Sequence, residues 1–307
     1  MIVTRRLVLA GSAALGLGAI LPLTVRRAWA VTTFKTDGFQ VDSVSDGHLE
    51  FTPEFAYAAF PEAERDELIA RFDLSTDVVR SPLNVTLLRQ GDRTILFDVG
   101  SGPDFVPTAG LLGEALASIG VERDDVTDVI FTHGHPDHLW GLLDEFDEPA
   151  FANARLAMGQ TEFDYWTDPA TVETIGEERL SFAAGAMRRL TAVADRVETF
   201  ADGAEVAPGV RAVETPGHTP GHMSFTIGDP ATGLFVLGDA VTTVVGIANP
   251  EMPAGTDHDP ELAALTRAAL LGRLADEGWT LIGYHLPDGG IGRIERAGGT
   301  FAFVQET

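Results

Sequence analysis

Four side chains of types that commonly bind metal ions lie within six residues, directly after an apolar segment that ends at Phe131: His133, His135, Asp137 and His138. On a strand the last of them would point to the opposite face, and on a helix the four would spread around the axis. Only a loop lets all four converge, and Gly134 and Pro136 supply the irregular backbone that a loop needs. Three of the eight histidines of the chain fall in this segment, which predicts a metal site.

One loop cannot supply all the ligands of two ions, so further ligands should follow other strands. Three candidates do, each placed where an apolar segment gives way to a loop: His218, Asp239 and His285. The chain contains no cysteine, which excludes thiolate ligands and cysteine nucleophiles. Histidine and carboxylate ligands accept zinc, manganese, iron or cobalt. We therefore expect two divalent metal ions as the cofactor, with zinc as the first expectation.

Alternating strand and helix patterns surround these residues. The first half predicts a strand at 39–44 that ends in a turn at 45–47, a hairpin of 85–88 with 94–97, a helix at 111–119 and a buried strand at 126–132. Helical segments between 160 and 194 could form a cap over the site. Strands at 210–214, 223–227 and 234–237, a helix at 260–277 and a strand at 281–284 follow. This order predicts a single α/β domain of the αββα sandwich type, two mixed β-sheets flanked by helices.

The seven candidates together resemble the signature HxHxDH…H…D…H of the metallo-β-lactamase superfamily, and the similarity spans residues 40–304. The resemblance implies that one metal is held by His133, His135 and His218, the other by Asp137, His138 and His285, and that Asp239 bridges them. Two ions so held can share a hydroxide that attacks an ester-like bond. The resemblance therefore implies a metal-dependent hydrolase.

Within the superfamily, the chain most closely resembles the methyl parathion hydrolase-like branch of exported dinuclear hydrolases. The shared stretches are VSDG at 44–47, GHTPGH at 217–222, and HLP at 285–287 with GIG at 290–292, although GHTPGH is common across the superfamily. The branch implies a small-molecule substrate, namely a phosphotriester, an aryl or carboxylic ester or a lactone, with N-acyl homoserine lactones as a narrower alternative. It also often forms homodimers. Asp288-Gly289 depart from the branch, which usually has an aromatic residue and a proline there.

Three aromatic residues are candidates for contact with the substrate. By the same resemblance, Phe105 and Trp166 match aromatic positions of the leaving-group pocket, and Phe182 lies near a third. The alternative is that they pack in the core, as aromatic residues in a helical pattern usually do.

The sequence also suggests a second role for Asp137 and the placement of four further polar residues. Asp137 could also pass a proton to the leaving group. Asp98 follows an apolar strand and could orient a histidine that binds metal, whereas His222 is expected outside the ligand set because that set is already full. His48 and His258 lie in polar, turn-like segments and are expected on the surface.

The N-terminal 30 residues resemble a twin-arginine signal peptide, with Thr4-Arg5-Arg6, an apolar run at 7–23 and Ala28-Trp29-Ala30. Cleavage would leave a mature domain at 31–307, located in the periplasm or outside the cell. An uncleaved anchor is the alternative, but the run is short and contains three glycines and Pro22. Removal of four arginines would take the formal net charge from −25 to −29, a balance that disfavours nucleic acid as a partner.

Two other functional classes remain open. Related folds hold a single iron that oxidises persulfides, but a mononuclear iron site does not need seven ligands. An exported binding protein without activity would be expected to lack some ligands, and all seven are present. The hydrolase is therefore the preferred hypothesis.

Overall fold

The computed structural model describes residues 32–306, so the predicted signal peptide lies outside the described residues. Within that range the chain forms two seven-stranded sheets. No helix in residues 32–306 combines the length and the apolar character needed to cross a membrane.

The first half of the described chain forms one sheet, with the strands in sequence order from β1 to β7. Strands β1 to β4 pair antiparallel, and β4 to β7 pair parallel. The strands are β1 (Thr32–Lys35), β2 (Gln40–Phe51), β3 (Val79–Gln90), β4 (Arg93–Phe97), β5 (Asp128–Phe131), β6 (Arg155–Gly159) and β7 (Val197–Phe200). The helices are α1 (Pro53–Ala56), α2 (Glu62–Phe72), α3 (Leu112–Ser118), α4 (Pro136–Leu139), α5 (Gln160–Thr167), α6 (Pro169–Thr174) and α7 (Leu180–Ala192).

The second half forms the other sheet, again in sequence order, from β8 to β14. All neighbours pair antiparallel except β11 and β12, which are parallel. The strands are β8 (Glu205–Ala207), β9 (Val210–Glu214), β10 (Met223–Ile227), β11 (Leu234–Val236), β12 (Thr280–Ile282), β13 (Ile291–Ala297) and β14 (Thr300–Gln305). The helices are α8 (Val244–Ala248) and α9 (Pro260–Glu277).

The two sheets bury one core between them and one on each outer face. Phe97 from the first sheet meets Phe225 from the second, with ring centroids 5.1 Å apart. In β5, Ile130 faces this inner core, while Val129 and Phe131 pack in the outer cluster that also contains α3 and α7. Because β5 is covered on both faces, its residues 129–131 are continuously apolar rather than alternating. The predicted αββα sandwich is confirmed.

Several predicted elements agree with the structure. The hairpin of β3 and β4 is present, and α9 has the predicted bounds. Asp259 caps the start of α9 by accepting a hydrogen bond from the Leu262 amide, and Gly278 ends the helix in the left-handed conformation. Local signals therefore sufficed for these elements.

One local prediction is wrong. The expected turn at 45–47 is a bulge, past which β2 continues to Phe51; a glycine in a strand pattern marks such a bulge as readily as a turn. Beyond the predicted elements, β13 and β14 form a hairpin that extends the second sheet.

Candidate metal centre

Loops that follow strands of both sheets carry the predicted ligands. His133 follows β5, His218 follows β9, Asp239 follows β11 and His285 follows β12. Strand pairs β4–β5 and β11–β12 are parallel, so the carboxyl ends of neighbouring strands meet at the same edge. The predicted loop conformation is wrong for two ligands, because Asp137 and His138 lie on the short helix α4.

All seven predicted ligands converge, and each is buried. Their ligand-type atoms form three overlapping groups, each within 4.8 Å, which are listed by residue: His133, His135 and His218; His133, His138 and Asp239; Asp137, His138 and His285. Asp239 lies between the two predicted sets of metal ligands, since its Oδ2 is 3.4 Å from His218 Nε2 and 3.1 Å from His285 Nε2. The Asp239 carboxylate is therefore within reach of both predicted ligand sets.

The outward nitrogens of the first three histidines each have a polar partner. His218 Nδ1 lies 3.0 Å from Asp257 Oδ1, and His133 Nδ1 lies 3.0 Å from the hydroxyl of Thr132. His135 Nε2 lies 3.0 Å from His258 Nε2. Partners of this kind fix the ring orientation of a histidine that binds metal.

The outward nitrogens of the other two histidines are held in the same way. His138 Nδ1 donates to Asp98 Oδ2 at 2.8 Å, and His285 Nδ1 donates to the Pro82 carbonyl at 2.9 Å. Asp98 also accepts the amide and hydroxyl hydrogens of Thr132. The structure thus gives Asp98 the orienting position that the sequence suggested.

Some inward atoms of the cluster have no hydrogen-bond partner. Because His218 Nδ1 donates to Asp257, the network leaves a lone pair on His218 Nε2, which faces His135 Nδ1 at 2.9 Å. Within residues 32–306, seven buried side-chain polar atoms have no hydrogen-bond partner, and three of them lie in the cluster: His133 Nε2, His138 Nε2 and Asp239 Oδ1. Unpartnered inward atoms of this kind suit a divalent cation, and histidine with aspartate is a common ligand set.

The two predicted ligand sets differ in the electrostatic environment of their histidines. Burial, together with the neighbouring histidines, holds the pKa of His133 and His135 well below the usual 6.5. Burial would also lower the pKa of His285, but Asp239 and Asp137 outweigh it and raise that pKa to about 10. The set that contains His133 and His135 therefore favours neutral imidazole ligands, and the set that contains His285 attracts positive charge.

His222 supports Asp239 from outside the cluster. Its Nε2 accepts a hydrogen bond from the Asp239 backbone amide at 2.9 Å, and its Nδ1 donates to the hydroxyl of Thr215 at 2.8 Å. Burial lowers the pKa of His222 to about 3, so the ring stays neutral. Both nitrogens are occupied, which agrees with the expectation that His222 is not a ligand.

Two of the three candidate pocket aromatics form a wall beside the cluster. Phe105 and Phe182 are half-buried, with ring centroids 6.0 Å apart, and Phe182 lies 5.8 Å from the His135 ring. Trp140 completes the wall, 5.5 Å from Phe105. Trp166 is different: its side chain is fully buried behind His135, at a ring distance of 5.8 Å. Without exposed surface, Trp166 supports His135 and does not face a substrate.

Sequence reasoning missed Glu162 and Asp257 and misplaced His258. Glu162 is fully buried on α5, and Asp257 is buried in the loop between α8 and α9. His258, expected on the surface, is half-buried against His135 and 3.3 Å from the hydroxyl of Tyr165. Each lies in a polar sequence segment, so no local pattern set it apart from solvent-facing residues.

Comparisons with known proteins agree with this geometry. Residues 78–285 match the model of the metallo-beta-lactamase superfamily. Metallo-beta-lactamase domain-containing protein 1 of Xenopus laevis is 29% identical over 204 residues, 66% of this chain and 72% of that protein. An N-acyl homoserine lactonase of a Bacillus species is 27% identical over 153 residues, 50% of this chain and about half, 53%, of that enzyme.

A solved structure shares the whole fold. AidC, described as a dizinc quorum-quenching lactonase in complex with its product, superposes with a TM-score of 0.85. The match covers 91% of this chain and 98% of AidC, at 21% sequence identity. At that identity the likeness shows the fold.

Proposed function

The chain belongs to the metallo-beta-lactamase superfamily, and on that premise we propose that it hydrolyses an ester-like bond with two divalent metal ions. The bond would be that of a lactone, an aryl or carboxylic ester, or a phosphotriester. The observation that carries the proposal is the cluster of seven buried side chains of ligand type. The outward histidine nitrogens in it are partnered, whereas three inward atoms, His133 Nε2, His138 Nε2 and Asp239 Oδ1, are not.

We assign the ligands to two ions. One would be held by His133, His135 and His218, the other by Asp137, His138 and His285, with Asp239 shared. The position of Asp239 Oδ2, within 3.4 Å of one ligand from each set, supports the shared role. When bound, the two ions would supply a hydroxide nucleophile at neutral pH and neutralise the negative charge that develops on the attacked oxygen.

The residues around the cluster orient and select the substrate. Phe105, Trp140 and Phe182 offer an apolar wall beside His135, which suits an acyl chain or an aryl leaving group. Asp137 is the carboxylate we assign to proton transfer, because its Oδ2 lies 3.3 Å from His285 Nε2 at the cluster itself. Tyr284 holds that segment, since its hydroxyl donates to the Asp137 carbonyl at 2.6 Å.

Within the substrate classes, the lactonase relatives favour a lactone as the first compound to try, an N-acyl homoserine lactone in particular. The dizinc relative favours zinc. The stretches at 44–47 and 285–292 support a place near the methyl parathion hydrolase-like branch, which would extend the panel to phosphotriesters.

The test combines metal analysis with a substrate panel. Purified protein, stripped and reloaded with zinc, should bind two ions per chain and hydrolyse at least one of a long-chain homoserine lactone, an aryl acetate and a phosphotriester. Failure on all three sinks the proposal. Iron as the bound metal, with oxygen consumed when a persulfide is added, would favour the redox alternative instead.

Asp239→Ala tests the ligand assignment. Loss of an outer partner of a metal ligand typically costs about 10–100-fold in metal affinity or activity, so loss of the shared ligand should cost at least about 100-fold in kcat/KM. Asp195→Ala, at an exposed position, is the control and should be unchanged. Full activity in Asp239→Ala would overturn the assignment.

We also propose twin-arginine export, from the motif at 4–6 and the Ala28-Trp29-Ala30 site. N-terminal sequencing of the periplasmic protein should begin near Val31, and an unprocessed cytoplasmic product would refute this. A homodimer is the expected assembly, and light scattering of the mature chain decides it.

A further inference from the structure

Glu162 is a buried carboxylate that accepts four hydrogen bonds. Oε1 accepts from the Gly134 amide at 2.9 Å and from Trp166 Nε1 at 2.6 Å. Oε2 accepts from the Thr219 hydroxyl at 2.8 Å and from the Gly221 amide at 2.9 Å. All four donors are neutral groups, and the Glu162 side chain has no exposed surface.

Three of these four donors come from the two loops that carry the first set of ligands, and the fourth, Trp166, lies on α5. Gly134 lies between His133 and His135, while Thr219 and Gly221 directly follow His218. A single side chain on α5 thus bridges two loops that come from different sheets. The separation of these loops sets the distance between His135 and His218.

The backbones around Glu162 approach so closely that only glycine fits at two positions. A Cβ atom at position 134 would overlap the Trp166 ring, and one at 221 would overlap the backbone of Glu162. Contact with α5 therefore explains why positions 134 and 221 are glycine.

The carboxylate also fixes Trp166 behind His135. Trp166 donates to Glu162 one helical turn away, and its ring packs edge-on against His135 at 5.8 Å. His135 is thereby restrained through its backbone neighbour Gly134 and through its ring.

We propose that Glu162 is a positioning residue that fixes the separation of the two loops carrying His133, His135 and His218, and so determines how tightly that set binds its metal. The inference rests on the proposed metal site. Glu162 makes no hydrogen bond to a ligand side chain itself, so its effect acts through the two loops. Its removal would leave up to four buried donors without an acceptor.

Glu162→Gln tests the proposal with nearly the same side-chain size. Its amide group would direct N–H toward donors on one side. We expect affinity for one of the two zinc ions to fall about 10–100-fold, while the other is retained. Competition with a chromophoric chelator measures both affinities, and the absorption of cobalt-substituted protein identifies the affected set.

The control is Glu173→Gln, at an exposed position in α6, which should bind both ions as the wild type does. A purely structural role for Glu162 would lower the melting temperature of the metal-free protein but leave the zinc affinities and the cobalt spectrum unchanged. That result overturns the inference.

A second variant covers the case in which Glu162→Gln does not fold. Glu162→Asp keeps the charge but is one methylene shorter, so it cannot hold both loops at their present separation. The same ion should be weakened, and wild-type affinity in this variant overturns the inference. Wild-type protein that binds no zinc would instead overturn the proposed function, so the two failures are distinguishable.

Discussion

Replacement of Asp98 by asparagine should weaken the metal set that contains His138. The Asp98 carboxylate is fully buried and accepts three hydrogen bonds of 2.7–2.8 Å, from the Thr132 amide, the Thr132 hydroxyl and His138 Nδ1. Its φ of 67° is left-handed, a conformation that asparagine also tolerates. The exchange therefore changes the hydrogen bonding and leaves the backbone as it is.

The asparagine amide cannot satisfy both neighbours. With its oxygen toward the Thr132 amide, its NH2 group faces His138 Nδ1 and favours a proton on Nε2, the atom that should bind metal. With the amide reversed, NH2 faces the Thr132 N–H. A hydrogen bond to a charged group is worth about 1.5–3 kcal/mol, which at about 1.4 kcal/mol per tenfold corresponds to about 10–100-fold in zinc affinity.

Chelator competition and elemental analysis after dialysis should show one ion retained and one weakened by that factor. Asp73→Asn is the matched control, since Asp73 is exposed and also left-handed, with φ of 51°. If folded Asp98→Asn binds both ions as tightly as Asp73→Asn does, then Asp98 does not orient His138 and the reasoning is refuted.

Three further perturbations have distinct expected results. Removal of each bound ion by chelation should lower the melting temperature by about 5–10 °C, because a ligand at 100-fold its Kd contributes about 2.7 kcal/mol and a domain of this size shifts about 2–4 °C per kcal/mol; calorimetry that shows no shift contradicts the metal site. Arg189→Met removes a buried guanidinium that lies 4.4 Å from the Trp140 ring and donates to its carbonyl, so KM for apolar esters should rise several-fold without a change in metal content. Burial alone would raise the pKa of Asp128, but hydrogen bonds from Thr127 and Arg155 lower it below the ordinary 3.8. The carboxylate therefore stabilises the fold above that pH and loses its effect as pH falls, so Asp128→Asn and wild type should differ in urea unfolding at pH 7 and converge in acid; parallel curves would contradict this.

The ligand set could be predicted because its information is local. Four candidates are nearly contiguous in HGHPDH, and the others each follow an apolar segment, so residue type and spacing alone picked out all seven side chains that converge. The same holds for α9, whose cap at Asp259 and end at Gly278 are written in adjacent residues. Short-range signals of this kind do not depend on how the sheets pack.

The supporting residues could not be predicted, because their roles depend on segments far apart in the chain. Glu162 meets Gly134 from 28 residues away and Gly221 from 59, and Asp257 meets His218 from 39. In sequence, Glu162 and Trp166 look like a polar residue and an aromatic residue of an ordinary helix. Only the packing of α5 against both ligand loops buries them.

The sequence by itself thus determined which side chains could hold metal and the αββα order of the elements that carry them. The tertiary structure decided which histidine nitrogens are turned inward, that Trp166 stands behind His135 while Phe105 and Phe182 form the wall, and that β2 passes through its bulge instead of turning. The physical reason is that ligand type is a property of one residue, whereas hydrogen-bond partners and burial are set by all the segments that surround it.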